Sequence, residues 1–93
     1  MHIQLNEALA LLDGWKNEGT RIRMRASGPA ISQELLGTIR AIAGAVVDIG
    51  HELKNLELDL AGADFNGDPA HAEYLVCEFS DGRRYAFHVA RDA

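Results

Sequence analysis

The chain is poor in cysteine, proline and aromatic residues, and it has no long apolar run. Its 93 residues include one cysteine, two prolines, one tryptophan, two tyrosines and three phenylalanines. The lone Cys77 excludes an intrachain disulfide and favours a reducing compartment. No apolar stretch approaches the ~20 residues of a membrane-spanning helix, and no basic start precedes an apolar segment as in a signal peptide. We therefore expect a cytoplasmic protein without a membrane segment.

The length predicts a single domain over residues 1–93, because ordinary domains hold ~100–200 residues and no linker interrupts the chain. A domain of this size buries only roughly 60–65% of its unfolded surface, which leaves a thin margin of stability. Association between copies would add to that margin. The size therefore favours a homo-oligomer.

An excess of acidic residues gives a formal net charge of −5, and the excess lies in the second half of the chain. Residues 1–50 hold five basic and five acidic groups, whereas residues 51–93 hold four basic and nine acidic groups. An acidic protein is repelled by nucleic acid at long range unless its cations gather on one face. General nucleic-acid binding is disfavoured, and a local anion site is still allowed.

The first element predicted is an amphipathic helix that ends near Gly19. Its apolar residues recur every three or four positions, as on one helix face. The predicted docking stripe consists of Leu5, Leu9, Leu12 and Trp15, with Ala8 beside them. Asn6 is the expected N-cap, and the interior Gly14 implies that docking on a sheet stabilises the helix.

Three arginines at alternate positions form the most informative pattern of the chain. In the predicted strand Thr20 to Ala26, Arg21, Arg23 and Arg25 share one face, and the apolar residues between them face a core. A Ser-Gly-Pro turn at 27–29 closes the strand.

The stretch from Glu34 to Ile49 is predicted to be extended. It either bends at Gly44 or turns there into a separate strand, Ala45 to Ile49. A helix over 32–47 is the rival interpretation, but two interior glycines and many β-branched residues favour strand.

Two further regions have strand patterns. Leu56 to Leu60 alternates leucine with acidic residues, as a half-buried strand does. A terminal hairpin is predicted from Glu73 to Phe79 and from Arg84 to Arg91, with an Asp-Gly turn at 80–83. One face of this hairpin should carry Leu75, Cys77, Phe79, Tyr85, Phe87 and Val89.

These elements predict an α+β fold in which an N-terminal helix precedes about five antiparallel strands. Closing or strongly bending the sheet would hide the edges that otherwise aggregate. We therefore expect a small barrel or a strongly bent sheet.

The segment Leu36-Gly-Thr-Ile-Arg-Ala-Ile42, after a short helix and a first strand, resembles the bent second strand of the Sm-like small barrels, which are SH3-like in architecture. That resemblance implies a ring of copies that binds single-stranded RNA. The aspartate and asparagine of the family's RNA pocket have no counterpart in the segment 42–47. The family's late Arg-Gly motif is also absent, since Asp81-Gly-Arg-Arg84 has the reverse order. The resemblance therefore extends to the fold and to ring assembly, and not to uridine recognition.

The arginine stripe allows two interpretations. Its arginines can pair with Glu57 and Asp59 on another strand of the sheet, which would stabilise the fold by a few tenths of a kcal/mol per pair. Alternatively, they can bind an anionic group or partner, because guanidinium matches phosphate and carboxylate geometry. The candidate site then comprises Arg21, Arg23, Arg25 and Arg40.

Metal and cofactor sites are not expected. Asp64, Asn66 and Asp68 have the opening spacing of a calcium loop, but Pro69 replaces its glycine and Leu75 its bidentate glutamate. His71, Glu73 and His88 could converge across the terminal hairpin, but no helical histidine pair supports a metal centre. The prediction is that the protein holds neither a metal nor a cofactor.

Catalysis has little support in the sequence. The only thiol, Cys77, lies in an apolar strand, where ionisation is disfavoured. Glu78 and His88 could meet as an acid and base on the hairpin, but on an open face nothing would tune them. We therefore expect a protein that is not an enzyme.

The sequence predicts a non-catalytic binding or assembly module that associates with itself or with another protein. The segment Ala43 to Ile49 is apolar on both faces, which one small domain rarely covers alone. The alternative is an RNA- or nucleotide-binding protein of the Sm-like kind that uses the arginine stripe.

Overall fold

The computed structural model describes residues 1–30, 32–51 and 54–90. In chain order the elements are β1 (His2–Ile3), α1 (Leu5–Glu18), β2 (Arg21–Ser27), β3 (Ser32–Ala43), β4 (Val46–His51), β5 (Lys54–Asp59), β6 (Asp64–Gly67), β7 (Tyr74–Glu78) and β8 (Arg84–Val89). The strands form one antiparallel sheet in the order β1-β6-β7-β8-β2-β3-β4-β5. The α+β prediction is confirmed, with eight strands in the described residues instead of about five.

Helix α1 begins two positions earlier than the sequence indicates. Its N-cap is Gln4, whose backbone N–H donates to the Glu7 carboxylate at 3.1 Å, and not Asn6. Gly19 ends the helix with φ 65, a left-handed conformation that glycine adopts without strain, as expected.

The helix buries a different stripe from the one predicted. Its buried residues are Ala8, Leu11, Leu12 and Trp15. Leu9 is half-buried and packs against the core, as predicted, whereas Leu5 is 38% exposed and the prediction was wrong for it. The side chain of Ile3, one strand earlier, fills the core at this end, and the first turn of α1 therefore lies at the rim.

The sheet is strongly curved around α1. The helix packs against both β3 and β6, although three strands separate these two in the sheet. Only residues 60–63 connect β5 at one edge to β6 near the other, and so short a link spans at most ~18 Å from Asp59 to Asp64. The two ends of the sheet therefore approach each other.

The sheet nevertheless remains open, so the barrel interpretation was wrong and the strongly bent sheet is correct. Among the described residues, β5 pairs only with β4, and β1 pairs only with β6. The short strands β1 and β6 were missed because neither has a readable period of its own. They form where Ile3 pairs with Phe65 and where Phe65 pairs with Cys77.

The extended interpretation of residues 34–49 is confirmed. Gly44, with φ 60, forms the turn between β3 and β4. The irregularity in β3 lies elsewhere, at a bulge where Arg40 interrupts the register between Ile39 and Ala41.

The terminal hairpin also forms as predicted. Leu75 pairs with Phe87 and Cys77 with Tyr85 on the core face, and Gly82 in the turn has φ 94. The predicted end of its second strand, Arg91, lies outside the described residues.

The core lies between α1 and the concave face of the sheet, and no buried residue in the described part is polar or charged. The one helix described, α1, is too short to cross a bilayer. The convex face carries no helix of the described chain, and we call it the outer face.

Candidate binding site

The arginine stripe lies on the outer face, at the middle of the sheet. In β2 the residues alternate between exposed arginine and buried Ile22, Met24 and Ala26, as the sequence predicts. The neighbours of β2 in the sheet are β3 and β8, so side chains on these two strands surround the stripe.

The stripe pairs with one carboxylate on β3. Arg23 Nε lies 3.2 Å from one oxygen of Glu34, and Arg25 Nη2 lies 3.2 Å from the other. The predicted partners Glu57 and Asp59 were wrong, because they belong to β5 and two strands separate β5 from β2. The turn at 28–30 sets a register in which Glu34 faces Arg25, and hairpin counting could have revealed this.

On its other side the stripe faces β8 across a depression of about 290 Å³. We call it the cationic cleft; its lining residues are Arg23, Arg25, Arg84, Ala86 and His88. Sequence reasoning missed the last three. Their period of two placed them on one face, but nothing in the sequence placed β8 beside β2.

The cleft is electrostatically unbalanced. It gathers three guanidinium groups, two of which share Glu34. Arg84 faces Glu78 in the ladder but forms no ion pair within 4 Å with any described residue. Because Ala86 forms the floor, an anion could approach the guanidinium groups closely.

A pair of rings borders the cleft. Tyr74 and His88 face each other in the β7–β8 ladder, and their rings stack with centroids 6.4 Å apart. His88 is exposed and Tyr74 is half-buried. This surface was not foreseen, because the sequence assigned most aromatic residues to the core.

The other two predicted site residues lie outside the cleft. Arg21 is the end of the stripe, opposite Thr38. Arg40 lies across β4, where a Cβ on Gly50 would overlap its guanidinium. The structure therefore brings together two of the four predicted arginines.

Acidic residues gather on the same outer face at its β4–β5 end. Asp48 faces Glu57 in the ladder, and Asp59 faces Val46. We call Asp48, Glu57 and Asp59 the acidic patch; one oxygen of Asp48 is buried without a hydrogen bond among the described residues. Arg40 is the cation placed beside this patch, since Gly50 is two positions from Asp48.

Small and apolar side chains separate the two charged regions. Leu36, Ala41, Ala43 and Val46 lie on the outer face of β3 and β4, and all four are half-buried or exposed. We call them the central apolar strip. The apolar surface predicted for Ala43 to Ile49 is thus partly accessible, while Val47 and Ile49 lie in the core.

The metal and acid–base hypotheses gain no geometric support. Asp64 and Asn66 lie on β6, and Asp68 contacts His71 at 3.1 Å. No group of three histidine, cysteine or acidic side chains in the described ranges could hold a metal ion. Glu78 faces Arg84 while His88 faces Tyr74, so the proposed acid and base stand apart along the hairpin.

Cys77 is buried in the core, and desolvation raises the pKa of its thiol to about 12. The thiolate is therefore scarce at neutral pH.

No family model, curated protein or solved structure matches the chain.

Proposed function

We propose that the protein is a non-catalytic assembly module whose outer face binds a second copy of itself. In this arrangement the cationic cleft of each copy receives the acidic patch of the other. A two-fold axis would pass through the central apolar strip, so that both contacts form at once. The observation that carries the proposal is the presence of two charge-complementary regions on one sheet face.

Spacing and composition support this arrangement. The arginine stripe on β2 and the carboxylates on β5 are three strand spacings apart, which is ~14 Å along the sheet. Leu36 and Val46 lie between the charged regions and supply an apolar centre, as protein interfaces have. The charge pattern is also reciprocal. The cleft has three guanidiniums with one carboxylate, Glu34, beside them on β3, and the patch has three carboxylates with one guanidinium, Arg40, beside them.

The proposal predicts association that weakens with salt. Exposed ion pairs contribute ~0.2–1 kcal/mol each, and 0.15 M salt screens them beyond ~8 Å. Dimer formation should therefore be strongest in dilute buffer.

Light scattering measures the mass of the purified protein directly, in dilute buffer and at high salt. We expect twice the monomer mass in dilute buffer and a lower mass at high salt. Arg25→Gln should weaken association. The matched control Lys16→Gln also removes one cation, but from helix α1, and should not. A monomer under all conditions would contradict the proposal, and a ring of five or more copies would favour the Sm-like assembly instead.

A second candidate function is binding of RNA or a nucleotide. The ring pair Tyr74 and His88 favours it, because a base could stack there while its phosphate lies in the cleft. The net charge of −5 acts against long-range attraction of nucleic acid. Absorbance at 260 and 280 nm on the same peak distinguishes the two functions, since bound nucleic acid raises the ratio.

A further inference from the structure

A groove lies on the other side of the molecule, between α1 and the loop that joins β6 to β7. Its volume is about 510 Å³. We call it the helix groove; Ala10, Leu11, Gly14 and Trp15 of α1 form its floor. Pro69 and Ala72 of the loop form its far wall. The groove shares no lining residue with the cationic cleft.

A hydrogen bond holds the two walls together. Trp15 Nε1 donates to the backbone oxygen of Ala72 at 3.1 Å, across 57 positions of sequence. Trp15 itself is buried. The groove is therefore already formed in the free protein, which lowers the cost of binding a ligand.

Each end of the groove carries a carboxylate. Glu7 and Glu18 both line it, and eleven positions, or about three helical turns, place them on one helix face. Their backbones are ~16 Å apart along the axis. No basic residue lines the groove within the described chain.

Gly14 supplies an independent observation. It lies inside α1, where glycine costs stability relative to alanine. Apart from its chain neighbours and the backbone of its own helix, a Cβ built there meets no atom of the described residues within 4 Å, and φ is not left-handed. Neither packing nor backbone conformation therefore explains the glycine, and its missing side chain deepens the floor of the groove between the two carboxylates, seven positions from Glu7 and four from Glu18.

From this geometry we infer that the helix groove binds a long linear aliphatic diamine. One terminal ammonium pairs with Glu7 and the other with Glu18, while the methylene chain lies over Ala10 and Gly14. The carboxylates favour cations at both ends, and the apolar floor favours hydrocarbon between them. This inference is independent of the proposed self-association.

Calorimetric titration with diaminobutane, diaminooctane, diaminododecane and spermine tests the inference. We expect saturable binding that is tightest for diaminododecane, whose terminal nitrogens can reach both carboxylates, and weaker for spermine, whose internal ammoniums would lie on the apolar floor. Octylamine, with one charge, should bind at least tenfold more weakly than diaminododecane. Equal affinity for all amines would overturn the inference, as would binding of a lysine-containing peptide without binding of any amine.

Two variants locate the site. Glu7→Gln/Glu18→Gln should lower diaminododecane affinity at least tenfold, and glutamine at position 7 can still accept the Gln4 N–H that caps the helix. The control Asp13→Asn/Asp64→Asn removes the same charge from exposed sites outside the groove and should bind normally. Gly14→Ala should keep the fold, raise the melting temperature and weaken binding. Unchanged binding in both groove variants would overturn the inference.

Discussion

Arg25 and Glu34 face each other in the β2–β3 ladder, and Arg25 Nη2 lies 3.2 Å from Glu34 Oε2. The other oxygen of Glu34 lies 3.2 Å from Arg23 Nε. One carboxylate therefore holds two guanidiniums side by side at the wall of the cleft. This contact keeps the arginines in place and also reduces the charge that they offer to a partner.

Glu34→Gln should therefore separate the effect of this contact on stability from its effect on self-association. The free energy of unfolding should fall by less than ~1 kcal/mol, because the pairs are exposed. Self-association should become stronger by about thirtyfold in dilute buffer, because the dimer has two cleft–patch contacts and one repulsive charge near 4 Å is worth ~1 kcal/mol in water at each. Chemical denaturation and sedimentation measure these quantities. Weaker association would mean that Glu34 itself contacts the partner.

The central apolar strip gives a test that does not involve the arginines. Ala43 is exposed, so Ala43→Glu should leave the fold intact. The added charge would lie beside the acidic patch and at the centre of the proposed interface, and we expect the variant to be monomeric by light scattering. Ala30→Glu, in the exposed β2–β3 turn, is the matched control and should associate like the unmodified protein. A dimeric Ala43→Glu variant would move the interface elsewhere.

Gly14→Ala tests whether the glycine in the helix groove lowers the free energy of unfolding. Alanine is favoured over glycine in a helix interior by about 1 kcal/mol, and nothing obstructs the new methyl group. The melting temperature should rise by roughly 4–8 °C in a domain of this size. Calorimetry measures the shift. A fall would show that α1 needs the glycine for its own packing.

Burial of the Cys77 thiol makes the free energy of unfolding depend on pH in the alkaline range. Its folded pKa is about 12 against an ordinary value of 9.0, so the unfolded chain loses this proton first as pH rises. The thiol contributes its stability fully below about pH 9, and this contribution declines as pH rises towards about 12. Cys77→Ala should remove this part of the pH dependence. Denaturation of both proteins between pH 8 and 11 checks it, and parallel curves would contradict it.

Local sequence patterns predicted most of the strands but not which strands lie next to each other in the sheet. The alternation in β2 and the Asp-Gly turn of the β7–β8 hairpin are properties of short segments, and both were correct. The order of strands depends on how the sheet curves around α1, which no segment encodes alone. Glu57 was therefore assigned to the arginines in place of Glu34. Arg84 was missed because its alternation with Ala86 places both on one face of β8 but does not place β8 beside β2.

The short strands β1 and β6 were missed for a different reason. β1 has only two residues, and β6 reads as a polar loop because Asp64 and Asn66 dominate it. Each exists because a neighbouring strand offers hydrogen bonds and because Phe65 reaches the core. The groove could not be foreseen either, since Pro69 and α1 meet only in the folded chain.

Exchanging the charges of the two regions tests the central claim most directly. Arg23→Glu/Arg25→Glu makes both outer-face regions acidic, and Glu57→Arg/Asp59→Arg makes both basic. We predict that each variant alone is monomeric by light scattering and that an equimolar mixture forms a one-to-one dimer. Dimers of either variant alone, or a mixture that stays monomeric while the unmodified protein associates, would contradict the pairing of cleft and patch.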